Sequence, residues 1–209
     1  MTLSKRPTRL TDRKRAAILQ AAVAEFRAYG FAATSMDRIA ASAEVSKRTV
    51  YNHFASKDEL FTAILWQLWE ASQAVEVVDY VSSLPLRAQL LKFTTQKMRL
   101  LSDPAFIDLS RVAMAELVHA PERARAMMEK LAEKEEGLAT WIREAQADGQ
   151  LRTDIAPAEA AHQLQGMLKA FAFWPQVAMG QAPLASAAQQ RLMEDCVDMF
   201  LALHATKTR

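Results

Sequence analysis

Two hundred and nine residues, 51% of them apolar, suffice to bury a sizeable core, and no apolar run approaches the ~20 residues that cross a bilayer. The longest lies around Ala170 to Trp174, and the basic start MTLSKRPTRLTDRKR has no apolar stretch behind it, so neither a membrane span nor a secretory signal is expected and a cytoplasmic location follows. The net charge of +2 hides an asymmetry: residues 1–57 hold eleven Lys and Arg against four acids, net +7, and the other 152 carry net −5, which points to a polyanion partner for the first quarter alone.

In chain order, TDRKRAAILQAAVAEFRAYG places Ile18, Leu19, Ala22, Val23, Phe26 and Tyr29 at helical spacing and closes on Gly30. Thr34 or Ser35 caps a short helix through about Ala43, with Asp37 three after Thr34 as in a capping box. Ser46 caps the next helix, through about Phe54. Ser56, with Glu59 three positions on, opens a long one, KDELFTAILWQLWEASQAVEVV. Pro85, Pro104, Pro121 and Pro157 each stand near the start of an amphipathic stretch, where a missing N–H costs nothing. Further helices are therefore expected near 85–102, 104–118, 121–148, 157–179 and 186–205, with Gly149 as a C-terminal cap. The chain reads as all-α, about nine helices.

On a wheel of Lys47 to Phe54, Val50 and Phe54 share one face, with Lys47 and Tyr51 along its edge. Arg48, Thr49 and Asn52 fall opposite, and His53 lies between Thr49 and Val50. Two short helices joined by a tight turn, the second with a polar exposed face, are the parts of a helix-turn-helix, whose second helix enters the DNA major groove. Arginine pairs bidentately with guanine and asparagine with adenine, so Arg48 and Asn52 are the candidate base readers. Lys47, Thr49, Tyr51 and Lys57 suit phosphates. Tyr51 and His53 stand between DNA contact and packing.

The run TSMDRIAASAEVSKRTVYNHFASKDELF resembles the DNA-binding domain of the tetracycline-repressor (TetR) family, and the preceding helix, ending in FRAYGF, is similar to that family's first helix. The resemblance spans about Ile18 to Leu65. Farther on, GQLRTDIAPAEAAHQLQGMLKAFAFWP is similar to the stretch leading into helix 8 of many members, whereas 80–145 shares only the helical layout. It implies a homodimeric, all-α regulator, usually a repressor released from a palindromic double-stranded operator by a small molecule. It further implies a three-helix DNA-binding domain over 1–56 and a helical effector-binding and dimerisation domain over 57–209. Carried over by position, Ser35 meets phosphate at the start of helix 2, Lys47, Arg48, Thr49, Tyr51, Asn52 and His53 lie on the recognition helix, and Lys57 contacts backbone. Glu44 departs from the pattern, standing where glycine is common; if that position needs a positive φ, it costs roughly 1 kcal/mol.

The body is rich in large flexible and aromatic side chains. Trp66, Trp69, Phe93, Met98, Phe106, Met114, Met128, Trp141, Met167, Phe171 and Trp174 are the candidates to line an adaptable pocket for a small apolar or neutral effector, and the same residues at helical spacing also serve as plain core. The resemblance puts a dimer interface on the last two helices. Leu164, Leu168 and Phe171, then Leu192, Cys196, Met199, Phe200 and Leu203, supply the apolar stripes, which a monomer would use internally. Cys196, the lone cysteine, reads as a small buried hydrophobe. The four histidines show no metal-ligand spacing, and neither a nucleophile motif nor a glycine-rich phosphate loop occurs, so no enzyme, metal or cofactor is expected. The rival reading is a DNA-bound scaffold whose acidic body recruits a protein, such as a division or nucleoid factor, without any ligand.

Overall fold

The computed structural model describes residues 10–73, 79–120, 122 and 137–206. Among them the fold is all-α: α1 (Leu10–Ala33), α2 (Met36–Ser42), α3 (Lys47–His53), α4 (Lys57–Gln73), α5 (Leu86–Leu101), α6 (Pro104–His119), α7 (Gly137–Ala147), α8 (Pro157–Ala172), α9 (Trp174–Met179) and α10 (Ser186–His204). The only strand-like pairing among these residues is an isolated bridge between Leu151 and Ala205.

Serines start three of the early helices. Ser35 Oγ accepts the Arg38 N–H at 3.2 Å, Ser46 Oγ that of Thr49 at 3.0 Å and Ser56 Oγ that of Glu59 at 3.1 Å. Each satisfies a donor that the helix itself leaves open, worth about 1 kcal/mol. Ser35, not Thr34, is therefore the cap of α2. Thr34 is buried and turns its hydroxyl back to Gly30 O and Glu25 O, at 2.9 and 3.2 Å. Asp37 forms no capping box with it and pairs with Lys47 instead.

Two expected boundaries shift. Gly30 breaks α1 with φ 80°, ψ 161°, but a further turn follows to Ala33. The single helix expected over 157–179 is two, because Pro175 has no N–H to give and its ring crowds the carbonyl four residues back. The break falls at Phe173. Of the helix expected over 121–148, residues 121 and 123–136 lie outside the described residues, as do 74–78 of the long helix expected from Ser56.

Two compact units form. The first comprises the chain up to Leu68 together with Asp108–Ala120, the second Trp69–Ile107 together with the chain after Ala120. In the first, Ile18, Phe26, Ile39, Val50, Phe54, Leu60, Phe61 and Ile64 are all at most 4% exposed. Fully burying such a side chain is worth about 1.5–3 kcal/mol, so this helical module has a real core. Phe26, Phe31 and Phe61 meet ring to ring within it, at 5.2 to 6.4 Å between centroids. In the second, α10 packs on α5 and α8, α7 on α8 and α9 on α8. Its centre is Leu90, Phe93, Met98, Trp141, Ile142, Leu164, Leu168, Val197 and Phe200.

Candidate nucleic-acid interface

The corner between α2 and α3 is built on one backbone exception. Ala43 ends α2, Glu44 adopts φ 52°, and two hydrogen bonds close the turn: Glu44 N–H to Ala41 O at 3.2 Å and Val45 N–H to Ala40 O at 3.1 Å. That pair of bonds is the Schellman pattern, whose left-handed position is usually glycine. The Glu44 side chain thus occupies a conformation that costs an L-residue about 1–2 kcal/mol. The same pattern recurs after α7, with Gly149 at φ 71°, Gly149 N–H to Gln146 O and Gln150 N–H to Ala145 O, and there the residue is glycine.

With the turn closed, α3 buries Val50 completely, Phe54 follows at 2% exposure, and the opposite face is solvent-facing. Arg48 and Asn52, one helical turn apart, are exposed, and among the described residues neither makes a side-chain hydrogen bond or ion pair. Tyr51 is 52% exposed, which removes it from the core it borders on the wheel. His53 is half-buried with its ring 6.5 Å from that of Phe54, at the edge of the same face.

The remaining expected DNA residues already have partners. Thr49 and Ser46 share a hydroxyl–hydroxyl bond of 2.8 Å. Lys47 Nζ lies 2.5 Å from Asp37 Oδ2, both side chains more than half exposed, an arrangement worth at most about 1 kcal/mol in water. Ser35 is exposed at the start of α2. Lys57 is half-buried and donates to three main-chain carbonyls at the end of α1.

Matched against known families, residues 18–64 fit the profile of bacterial regulatory proteins of the tetR family, and residues 88–206 fit the C-terminal domain of AefR-like transcriptional repressors. The chain belongs to the TetR family. Its relatives include the HTH-type transcriptional repressor SCO4008 of Streptomyces coelicolor, 31% identical over 168 residues and 77% of each chain. A TetR-family regulator of Pseudomonas syringae pv. tomato superposes with a TM-score of 0.85 at 46% identity, covering 95% of this chain and all of that one. The flavonoid-responsive regulator FrrA superposes with a TM-score of 0.70 at 28% identity, covering 94% and 99%. This chain is accordingly a DNA-binding transcriptional regulator, with its TetR-type DNA-binding region running from the buried Ile18 of α1 to the buried Ile64 of α4. Among the described residues no helix is long and apolar enough to cross a membrane, and no His, Cys, Asp and Glu group could hold a metal ion.

In the TetR-type body the expected effector residues divide by burial. Phe93, Met98 and Trp141 are at most 2% exposed and Phe106 is 8%. Trp141 also donates Nε1–H to Gln89 Oε1 at 3.1 Å. Gln89 accepts from Val81 N–H and donates to Val81 O and Leu84 O, each at 2.9 Å, so Trp141 completes a clasp on the 81–84 loop. Trp69 and Met167 are half-buried, and Phe171 and Trp174 are exposed. Trp66, exposed, and Met114, half-buried, belong to the other unit; Met128 lies outside the described residues.

The dimer stripes divide too. Leu164, Leu168 and Cys196 are fully buried and Phe200 is 1% exposed within the protomer, so these four are core and offer no surface to a second copy. They face inward because α10 packs on both α5 and α8. Phe171, Met199 and Leu203 are exposed and Leu192 is half-buried, leaving a narrower outward stripe. Burial and then the nearby Asp195 carboxylate push the Cys196 thiol up to about 11, which keeps it protonated and unreactive.

Two features escaped the linear reading. Arg38 stacks on Tyr29, its guanidinium carbon 3.4 Å from the ring centroid, while Nε bonds Glu25 Oε2 at 2.6 Å. Asp108 of α6 bonds Arg27 of α1 and, at 3.2 Å, Arg111. Glu25 and Arg38, 13 positions apart, carry a weak signal in their opposite charges. Arg27 and Asp108, 81 positions apart, carry none.

Proposed function

We propose that this regulator binds a palindromic double-stranded operator as a homodimer, with α3 of each protomer in the major groove, and that a small apolar or neutral effector releases it. The observation that carries the DNA assignment is the state of Arg48 and Asn52. They lie one turn apart on the exposed face of α3 without hydrogen-bond or ion-pair partners among the described residues, while the neighbouring Lys47 and Thr49 are already engaged. Arg48 and Asn52 then read base edges, and Ser35, Lys47, Thr49 and Tyr51 meet phosphates, with His53 at the rim. On this reading the DNA-binding module is residues 1–56, and 57–209 binds effector and partner.

Dimerisation is supported by the apolar side chains left outside on the last helices. Phe171, Met179, Met199 and Leu203 are each more than half exposed, an arrangement a second copy would cover. The effector reading is supported by the flavonoid-responsive FrrA among the similar structures and by the aromatic and methionine content of the body. An effector acts by favouring the conformation in which the two α3 helices are mis-spaced for successive major grooves, through its differential affinity alone. Nothing in the fold favours the scaffold reading.

The test is selection of duplexes from a random-sequence pool, followed by footprinting and titration with neutral aromatic compounds. A two-fold symmetric site, lost on adding one such compound, supports the proposal. Binding without sequence preference, or equal operator affinity at saturating concentrations of every compound shown to bind, sinks the corresponding half of it.

A further inference from the structure

An ammonium has three N–H bonds to give. In Lys57 they converge on three main-chain carbonyls, Phe31 O at 2.5 Å, Thr34 O at 2.9 Å and Ala32 O at 3.2 Å. The charge also stands 4.4 Å from the centroid of the Phe31 ring, which packs against Phe26 and Phe61 in the core of its unit. The carbonyls lie at and just past the C-terminal end of α1, where the last C=O groups have no partner within the helix and the helix dipole is negative. A cation there satisfies both. The Thr34 hydroxyl, held by Gly30 O and Glu25 O, closes the same corner from the other side.

We propose that Lys57 is a positioning residue of the DNA interface and not a phosphate contact: it fastens residues 31–34 to the start of α4 and so sets where Ser35 and the N-terminus of α2 stand against the duplex. A phosphate can take an N–H from Lys57 only if a carbonyl gives one up. The residue after the pinned corner is the Ser35 cap itself, so the pose of the corner passes to α2 across a single peptide bond. Lys47 contrasts with it, because its partner is the exposed carboxylate of Asp37, which a phosphate can replace without opening the backbone. The proposal rests on the reading of this unit as the DNA-binding module.

Lys57→Arg separates the two roles. It keeps the charge, so a phosphate contact survives it, but a planar guanidinium cannot converge its donors on three carbonyls as an ammonium does. Full-length wild type, Lys57→Arg, Lys57→Met and Lys47→Met are titrated across a salt series with a duplex selected from a random pool on the wild type. Each phosphate contact contributes about 0.9 to the slope of log K against log salt. The expected result is a slope reduced by about one in Lys47→Met, and an unchanged slope with several-fold weaker binding in both Lys57 variants. Ser35→Ala should weaken binding in the wild type and add little once Lys57 is Arg, a coupling that mere destabilisation does not produce. Wild-type affinity in Lys57→Arg, or a slope reduced by about one in Lys57→Met, overturns the proposal. Should Lys57→Met fail to fold, Lys57→Arg carries the test. With DNA absent, amide exchange at Arg38 and Ile39 should quicken in Lys57→Arg, and wild-type exchange there also overturns it. If Lys47→Met and Arg48→Ala both bind every duplex like wild type, the underlying DNA reading has failed instead, and that outcome is recognisable because neither variant touches Lys57.

Discussion

The two units place their polar chemistry in opposite locations. In the unit that carries α1 to α3, the buried polar side chains among the described residues are Thr34 and Ser110, and the hydrogen-bonding groups of α3 point outward. In the unit that carries α5 and α7 to α10, Gln89, Thr94, Lys97, Gln165, Gln176 and His204 are all at most 5% exposed. A buried polar group is tolerated only when its hydrogen bonds are made, so the second unit is held by specific internal geometry as well as by apolar area. Gln89 exemplifies this with its clasp on the 81–84 loop. Gln176 does likewise, donating to Leu101 O at 2.8 Å and Ala172 O at 2.5 Å. The difference suits a surface that must meet DNA in one unit, and an interior whose packing can be biased from within in the other.

Substitutions should therefore separate binding from stability. The largest effect is expected inside the second unit. Trp141→Ala removes a side chain 1% exposed and one of the two donors to Gln89 Oε1, costing about 3–5 kcal/mol in chemical denaturation. A loss below about 1 kcal/mol would mean that Trp141 is not core but lines an adaptable cavity. Next comes Arg48→Ala, which should lower operator affinity by about 1–3 kcal/mol and relax preference at one base pair. Its melting temperature should match the wild type, and a drop of several degrees would mean that the outer face of α3 is structural.

A smaller effect tests the two Schellman turns. Glu44→Gly gives the turn before α3 the residue that the turn after α7 already has, and should stabilise the protein by about 1 kcal/mol through relief of the left-handed conformation. Gly149→Ala should cost a similar amount. No gain in Glu44→Gly would indicate that the Glu44 side chain makes up for the strain.

The smallest is a pH effect. His204 is 2% exposed, donates from Nε2 to Gln163 Oε1 at 2.8 Å, and leaves Nδ1 without a partner among the described residues. Burial, and then the Arg152 guanidinium, hold its pKa below the usual 6.5, against a smaller opposing pull from Asp154. As pH falls, the unfolded chain takes up the proton first. The stability supplied by the neutral ring is thus complete above about 6.5 and declines as pH drops through that value toward the folded pKa. Denaturation midpoints of the wild type and His204→Gln should draw together between neutral and mildly acid pH; a constant gap would assign the titration elsewhere.

Most of the first unit was legible residue by residue. Serine caps, the Val50 and Phe54 core pair and the outward Arg48 and Asn52 follow from contacts three and four residues apart, which a sequence displays directly. Even the positive φ at Glu44 is visible as a departure from glycine in a short turn. In the second unit the apolar stripes were correctly seen, but not which side of each would be covered. The stripe on α10 holds both Cys196 and Phe200, which face in, and Met199 and Leu203, which face out. An apolar arc is wide enough to serve two neighbours, and periodicity does not say how many are present.

By itself the sequence determined an all-α chain, a basic helix-turn-helix at its start and the family to which that motif belongs, because capping, helical period and charge are local properties. Only the tertiary structure decided that Lys57 closes the end of α1, that Asp108 of α6 bonds Arg27 of α1, and that Leu164, Leu168, Cys196 and Phe200 are interior. Those outcomes depend on which distant surfaces meet, and burial and partner choice exist only once they have.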